Sequence, residues 1–201
     1  MSLRPYASTA RACLHAGYSP LPLPPGRKWP PPKGWTGTGA PMASLEQVRR
    51  WIRSDPSHNI GLRLPDGVIG IDLDLYDDPG KDHPAAERQA AWHQLAARLT
   101  PLPESPRATS RDDGISGIRL YQVPPGWKGA GILPSAPVCE GHPLPGGREA
   151  RPGDPVSPGE VIQHHHRYLV APPSVHPAGR PYRWLGGNLP AVRNLPSLEG
   201  L

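Results

Sequence analysis

Phenylalanine is absent from this chain of 201 residues, and only 36% of it is hydrophobic. A large aromatic interior is thereby excluded. The core must be modest and drawn from Leu, Val, Ile, Trp and Tyr. Cysteine occurs twice, as Cys13 and Cys139, in no spaced motif, so neither a disulfide framework nor a zinc site is supported. Cys139 and His142 offer two ligands, with two more not evident nearby, and no zinc is expected. No apolar run approaches a membrane span and no signal-like segment opens the chain. A reducing, cytoplasmic location with no membrane partner is the expectation.

Proline and glycine are abundant instead, with 31 and 23 copies. They cluster between hydrophobic segments, which points to long ordered loops rather than global disorder. The formal charge of +5 and a pI near 9.5 suit a polyanionic partner such as nucleic acid.

The most informative stretch is Val68-Ile69-Gly70-Ile71-Asp72-Leu73-Asp74. It reads as a buried strand ending on two carboxylates. Strand side chains alternate, so Asp72 and Asp74 share a face, roughly 6–7 Å apart. Two carboxylates side by side repel unless a cation sits between them, and a divalent ion held by oxygen ligands is the simplest candidate. A turn or a solvated sheet edge explains the pair equally well. A third carboxylate normally completes such a shell, and Glu160, at the start of a hydrophobic strand after a long loop, is the best placed.

Taken in order, residues 5–15 suit a helix with Ala7, Ala10 and Leu14 on its inner stripe and Gly17 as its stop. Residues 18–23 are extended, and their prolines confine them to an edge or a loop. Residues 24–35 form a stiff basic loop carrying Lys28, Trp29, Lys33 and Trp35. It can cradle phosphates and stack a base, or simply pack as a surface loop. Ser44 caps the next helix, with Gln47 as capping-box partner and Leu45, Val48, Trp51 and Ile52 as the buried stripe. Residues 59–64 and 68–74 are expected to pair as a hairpin across Pro65-Asp66-Gly67. Residues 84–99 read as a helix with Leu95 and Leu99 facing inward.

Residues 108–110 and 117–123 look like strands flanking a turn at residues 111–114. Residues 124–159 hold nine prolines and eight glycines, which predicts a long loop, with a short strand near residues 137–140. Residues 160–163 and 167–171 are expected to pair across a histidine-rich turn. A short strand at 182–185 follows, and residues 186–201 read as a linker or tail.

Two further constellations carry chemistry. The turn amides of residues 110–119, a serine hydroxyl and Arg119 can grip a triphosphate, since arginine offers a forked donor set. An ordinary hairpin explains them too. The run His164-His165-His166-Arg167 suggests a metal or phosphate site, although adjacent strand side chains diverge and cannot all hold one ion.

These constellations, in this order and spacing, resemble the bifunctional primase-polymerase (Prim-Pol) domain of the archaeo-eukaryotic primase superfamily, found in phage and plasmid replication proteins. The similarity runs through residues 18–23, Lys28, Pro30, Trp35, the Trp51 helix, Asn59-Ile60-Gly61 and Ile71-Asp72-Leu73-Asp74. It continues through residues 116–121, Glu160, residues 171–177, Tyr182 and Trp184. The resemblance implies an α+β fold: a sheet like that of RNA-recognition domains carries the carboxylates (about 66–185). An N-terminal α/β module (about 1–65) packs beside it, and a helicase region often follows. It implies template-directed nucleotidyl transfer with single-stranded DNA template, primer and dNTP or NTP.

By the same resemblance, Asp72, Asp74 and Glu160 bind two Mg²⁺ or Mn²⁺ ions, and Ser116 and Arg119 contact the triphosphate. Arg119 stands where the family has histidine, so any acid-base role passes to His165 or His166. Arg111, His166 and Asn59 are further nucleotide candidates; Lys28, Lys33 and Arg167 are phosphate or nucleic-acid candidates. Two rival readings are a rolling-circle nicking endonuclease, with Tyr121 or Tyr168 as nucleophile, and a non-catalytic nucleic-acid-binding module.

Overall fold

Eleven residues, Pro5–His15, form the first helix, α1, with the bounds that the pattern predicts. Its buried stripe is Tyr6, Ala10 and Cys13, rotated from the expected Ala7, Ala10 and Leu14. Tyr6 commands the rotation, because its ring packs edge-on to Trp51 and its hydroxyl donates to Pro20 O at 3.0 Å. The computed structural model describes residues 4–78, 83–97, 102–131, 133, 136–137, 155–165 and 167–198.

The remaining elements are β1 (Ser19–Leu23), α2 (Leu45–Ser54), β2 (Asn59–Arg63), β3 (Val68–Leu73), α3 (Ala85–Ala96), β4 (Arg107–Thr109) and β5 (Gly117–Gln122). After these come β6 (Ala136–Pro137), β7 (Pro155–Val156), β8 (Gly159–Gln163), β9 (Leu169–Ala171), β10 (Arg183–Leu185) and a 3-10 turn at Val192–Asn194. The mixture of helices with antiparallel sheets is α+β, as expected. Of the strand expected near residues 137–140, only Pro137 lies within the described residues, as does Leu95 but not Leu99 of the α3 stripe. No helix among the described residues is long and apolar enough to cross a membrane.

Two sheets carry the fold. A three-stranded sheet has the order β1-β2-β9, and a five-stranded sheet the order β10-β4-β5-β3-β8. Proline-rich β1 is an edge strand, as its missing amides require. β4 and β5 pair across their turn.

Both other predicted hairpins are overturned. β2 pairs with β1 and β9, whereas β3 pairs with β5 and β8. The chain thus steps between sheets at residues 64–67 and again at 164–168. β9, from the second half of the chain, completes the sheet under the N-terminal helices, so residues 1–65 alone do not close that layer.

The main core lies between α1, α2 and the two sheets, joining Val48, Trp51, Ile60 and Leu62 to Leu120 and Ile162. α2 buries Val48 and Trp51 but leaves Leu45 exposed. Ser44 Oγ accepts from Gln47 N at 3.2 Å, which satisfies one orphan amide of the first turn. A second core, with Ile69, Ile71, Leu73 and Tyr121, covers the opposite face of the five-stranded sheet on the side of α3.

Residues 186–198 depart from the expected tail. Leu195 and Leu198 are buried, Val192 N donates to Ala16 O at 2.8 Å, and Gln122 N donates to Pro196 O at 2.8 Å. The segment is bonded to α1's end and to β5. Its few apolar residues each reach a core, which a composition reading cannot show.

Candidate active site

β3 leaves its ladder at Leu73, yet the alternation runs on. Ile71, Leu73 and Leu75 are buried, while Asp72, Asp74 and Tyr76 take the other face, partly exposed. The extension is held by bonds that local sequence does not announce. Asp74 N donates to Pro158 O at 3.1 Å and Leu75 N to Ser116 Oγ at 2.9 Å. From α3, Gln89 donates to Leu75 O at 3.0 Å. Buried Arg88 donates to the carbonyls of Asp74 (2.5 Å), Tyr76 and His83.

Edge strand β8 supplies the third carboxylate. Asp72 lies directly opposite Glu160 in the register, so both side chains rise on one face with Cβ atoms about 5 Å apart. Gly159 makes that approach possible, since a Cβ there would collide with the Asp72 carbonyl. The three carboxylates open into one cleft of about 380 Å³. β4 and β5 wall it with Thr109 and Ile118; Tyr168 and Val170 close it from the β9 side, and Lys28 and Trp29 stand at its lip.

The basic groups of the cleft are ordered. The Arg111 guanidinium lies 3.5 Å over the Tyr76 ring, a cation–π contact, and 3.6 Å from Asp78. Arg167 pairs with Glu160. Tyr168 donates its hydroxyl to Lys28 O at 2.7 Å, which ties the lip loop to the base of β9, and burial pushes its pKa up to about 12. Burial, then Asp72 and Tyr76, push the Tyr182 phenol above its usual range against the pull of Ser110 and Arg111, so it stays neutral.

The donor set suits a hard divalent cation: it consists of carboxylate oxygens on one wall of one cleft. Among the described residues, however, no three of His, Cys, Asp and Glu are already gathered for an ion. Glu160 is instead paired with Arg167.

Other candidates are placed elsewhere. Ser116, expected at the triphosphate, is buried, and its hydroxyl serves the Leu75 amide. Arg119 lies opposite Ile71, not Asp72, and therefore points to the other face. There it lines a separate cavity with Trp92 and Tyr121 and donates to Ile115 O at 3.2 Å. Asn59 is 1% exposed and saturated by backbone partners, which leaves no donor for a sugar or base.

Lys33 is exposed but does not line the cleft. His166 lies outside the described residues; His164 and His165 stack edge-on and line a different pocket, with Trp127 and Gln163. Tyr121 donates its hydroxyl to Pro103 O at 3.2 Å, away from the carboxylates.

Sequence reasoning missed Tyr76 and Arg88. Tyr76 was signalled by the same period-two spacing that pairs Asp72 with Asp74. Arg88 has no sequence signal, since an arginine on a helix is ordinarily exposed.

No curated protein and no solved structure matches the chain. A family model for the bifunctional DNA primase/polymerase N-terminal region matches residues 10–198, nearly its whole length. The chain belongs to the bifunctional DNA primase/polymerase (Prim-Pol) family.

Proposed function

We propose that this chain is a template-directed nucleotidyltransferase of phage or plasmid DNA replication, with Asp72, Asp74 and Glu160 holding two Mg²⁺ or Mn²⁺ ions. The observation that carries the reading is the convergence of these carboxylates with Arg111 and Lys28 in one cleft. Bound there, divalent ions would lower the pKa of an attacking 3′-hydroxyl and stabilise leaving pyrophosphate.

The chain's own residues do the positioning. Arg111, held flat against Tyr76, meets phosphate oxygens as a forked donor. Lys28 neutralises the same anion from the lip. Trp29 is 68% exposed at the mouth, and a base of template or nucleotide stacks on it. Lys33, farther along the loop, meets the template backbone. Arg167 releases Glu160 when the site is loaded and turns to phosphate. The partners are single-stranded DNA template, primer, dNTP or NTP, and a helicase domain or protein.

The test is incorporation on a single-stranded template, with and without primer, with dNTPs or NTPs, and with Mg²⁺ or Mn²⁺. We expect product from the wild type and none from Asp72→Ala/Asp74→Ala. No product under any combination sinks the reading, and activity retained by the double variant sinks the carboxylate site. DNA binding without incorporation would favour the non-catalytic module.

A further inference from the structure

The face of the five-stranded sheet turned away from the carboxylates holds a cavity of about 630 Å³ that the proposed reaction does not use. It shares no lining residue with the carboxylate cleft. Leu73 and Tyr121 line it from the sheet, Trp92 and Ala96 from α3, and Leu102 and Pro106 from the connector before β4. That size, with mostly apolar walls and few polar groups, is the form of a small-molecule site.

Strand register gives this face an unbalanced positive charge. Arg107 on β4 lies directly opposite Arg119 on β5, so both side chains rise on the same face. Like charges so placed repel. Buried Arg107 donates to Gly114 O at 2.5 Å. Arg119 lines the cavity, and both its terminal nitrogens donate to a single acceptor, Ile115 O, at 3.2 Å. Among the described residues no carboxylate forms an ion pair with it. Asp113, whose charge favours both arginines, accepts from the amides of Ile115 and Ser116 at 3.0 and 2.8 Å, which fixes it in the turn. A guanidinium stays charged in such a place, with five donors and one acceptor, and the arrangement is unfavourable until an anion supplies more.

The lining also limits what that anion can be. Arg119 and exposed Glu104 are its only charged side chains among the described residues, so a second negative charge would meet a carboxylate and no further cation. The Tyr121 hydroxyl is spent on Pro103 O and the Ser105 hydroxyl on Leu120 O, which leaves neither to donate to a sugar. We propose that this cavity binds a small organic monocarboxylate with a flat apolar body. The carboxylate meets the Arg119 fork, and the body lies against Leu73, Trp92 and Tyr121. The site stands whether or not the chain is a nucleotidyltransferase.

Calorimetric titration of the intact chain with 1-naphthoate tests this. The wild type should bind it, and should bind 1-naphthalenemethanol, the same body without the charge, about tenfold more weakly, the scale of one charge-assisted hydrogen bond. Arg119→Met should cost a similar factor and Arg119→Lys less. Ala96→Trp, at the exposed rim, should block binding, and it carries the test alone if thermal melts show that Arg119→Met does not fold. Arg111→Met, in the carboxylate cleft, should leave the affinity unchanged. No wild-type binding overturns the site, as does full affinity in folded Arg119→Met or in Ala96→Trp. A loss in Arg111→Met also overturns it, by placing the ligand in the cleft. Tighter binding of thymidine monophosphate than of 1-naphthoate overturns the monocarboxylate assignment.

Discussion

Replacing Asn59 with alanine removes three hydrogen bonds at one stroke. Nδ2 donates to Arg27 O at 2.9 Å and to Val175 O at 2.7 Å, and Oδ1 accepts from Val175 N at 2.9 Å. The residue is 1% exposed, so water cannot readily take over these partners. At about 1 kcal/mol net per bond, the loss is about 3 kcal/mol. For a domain of this size that lowers Tm by roughly 6–12 °C. The same change unties the Lys28 loop from the segment after β9, so the dNTP KM should rise alongside the melting loss. Differential scanning calorimetry and steady-state extension read the two effects. A raised KM with an unchanged Tm would refute the reasoning, because it would mean that Asn59 touches the nucleotide itself. A Tm within about 2 °C of wild type and an unchanged KM would show that the loops are held by something else.

Arg88→Met leaves the carbonyls of Asp74, Tyr76 and His83 without their donor, at about 1–3 kcal/mol per unpaired group, and incorporation should fall with stability. Denaturant titration checks the first effect and extension the second. Arg167→Met removes the competitor for Glu160, so the half-saturating Mn²⁺ concentration for activity should fall; an increase would mean that Arg167 positions the carboxylate rather than occupying it. The pKa of His176, depressed by burial and then by Lys28, Arg111 and Arg180, makes the folded chain bind fewer protons than the unfolded chain between its ordinary value near 6.5 and about 4. The contribution is therefore present above pH 6.5 and is lost as pH falls through about 4. Urea melts at pH 7 and pH 5 should show a drop that His176→Gln reduces.

Much of the site was legible because its signals are local. The period-two alternation that pairs Asp72 with Asp74 is a property of one strand and runs on to Tyr76. α1, the Ser44 cap, the proline-confined edge strand β1 and the β4–β5 hairpin likewise follow from near neighbours in the chain. Glu160 was found from its place at a strand start after a loop, and the register then set it opposite Asp72.

Tertiary structure decided which sheet each strand joins and which way a side chain faces once it is there. β2 and β3 have the spacing of a hairpin, as do β8 and β9, but each pair divides between two sheets: β2 and β9 pack under α1 and α2, whereas β3 and β8 join the sheet whose other face carries the second core beside α3. Register in β5 has the same character. A strand's period is two, so the alignment that sets Ile118 opposite Asp72 sends Arg119 to the far face. Ser116 is thereby left to hold Leu75 from behind, while Arg111, earlier in the same turn, reaches the cleft. The sequence by itself determined the carboxylate strand and the face its aspartates share. Which cations meet it was decided only by long-range packing, because burial and register are properties of the assembled sheets and not of any segment.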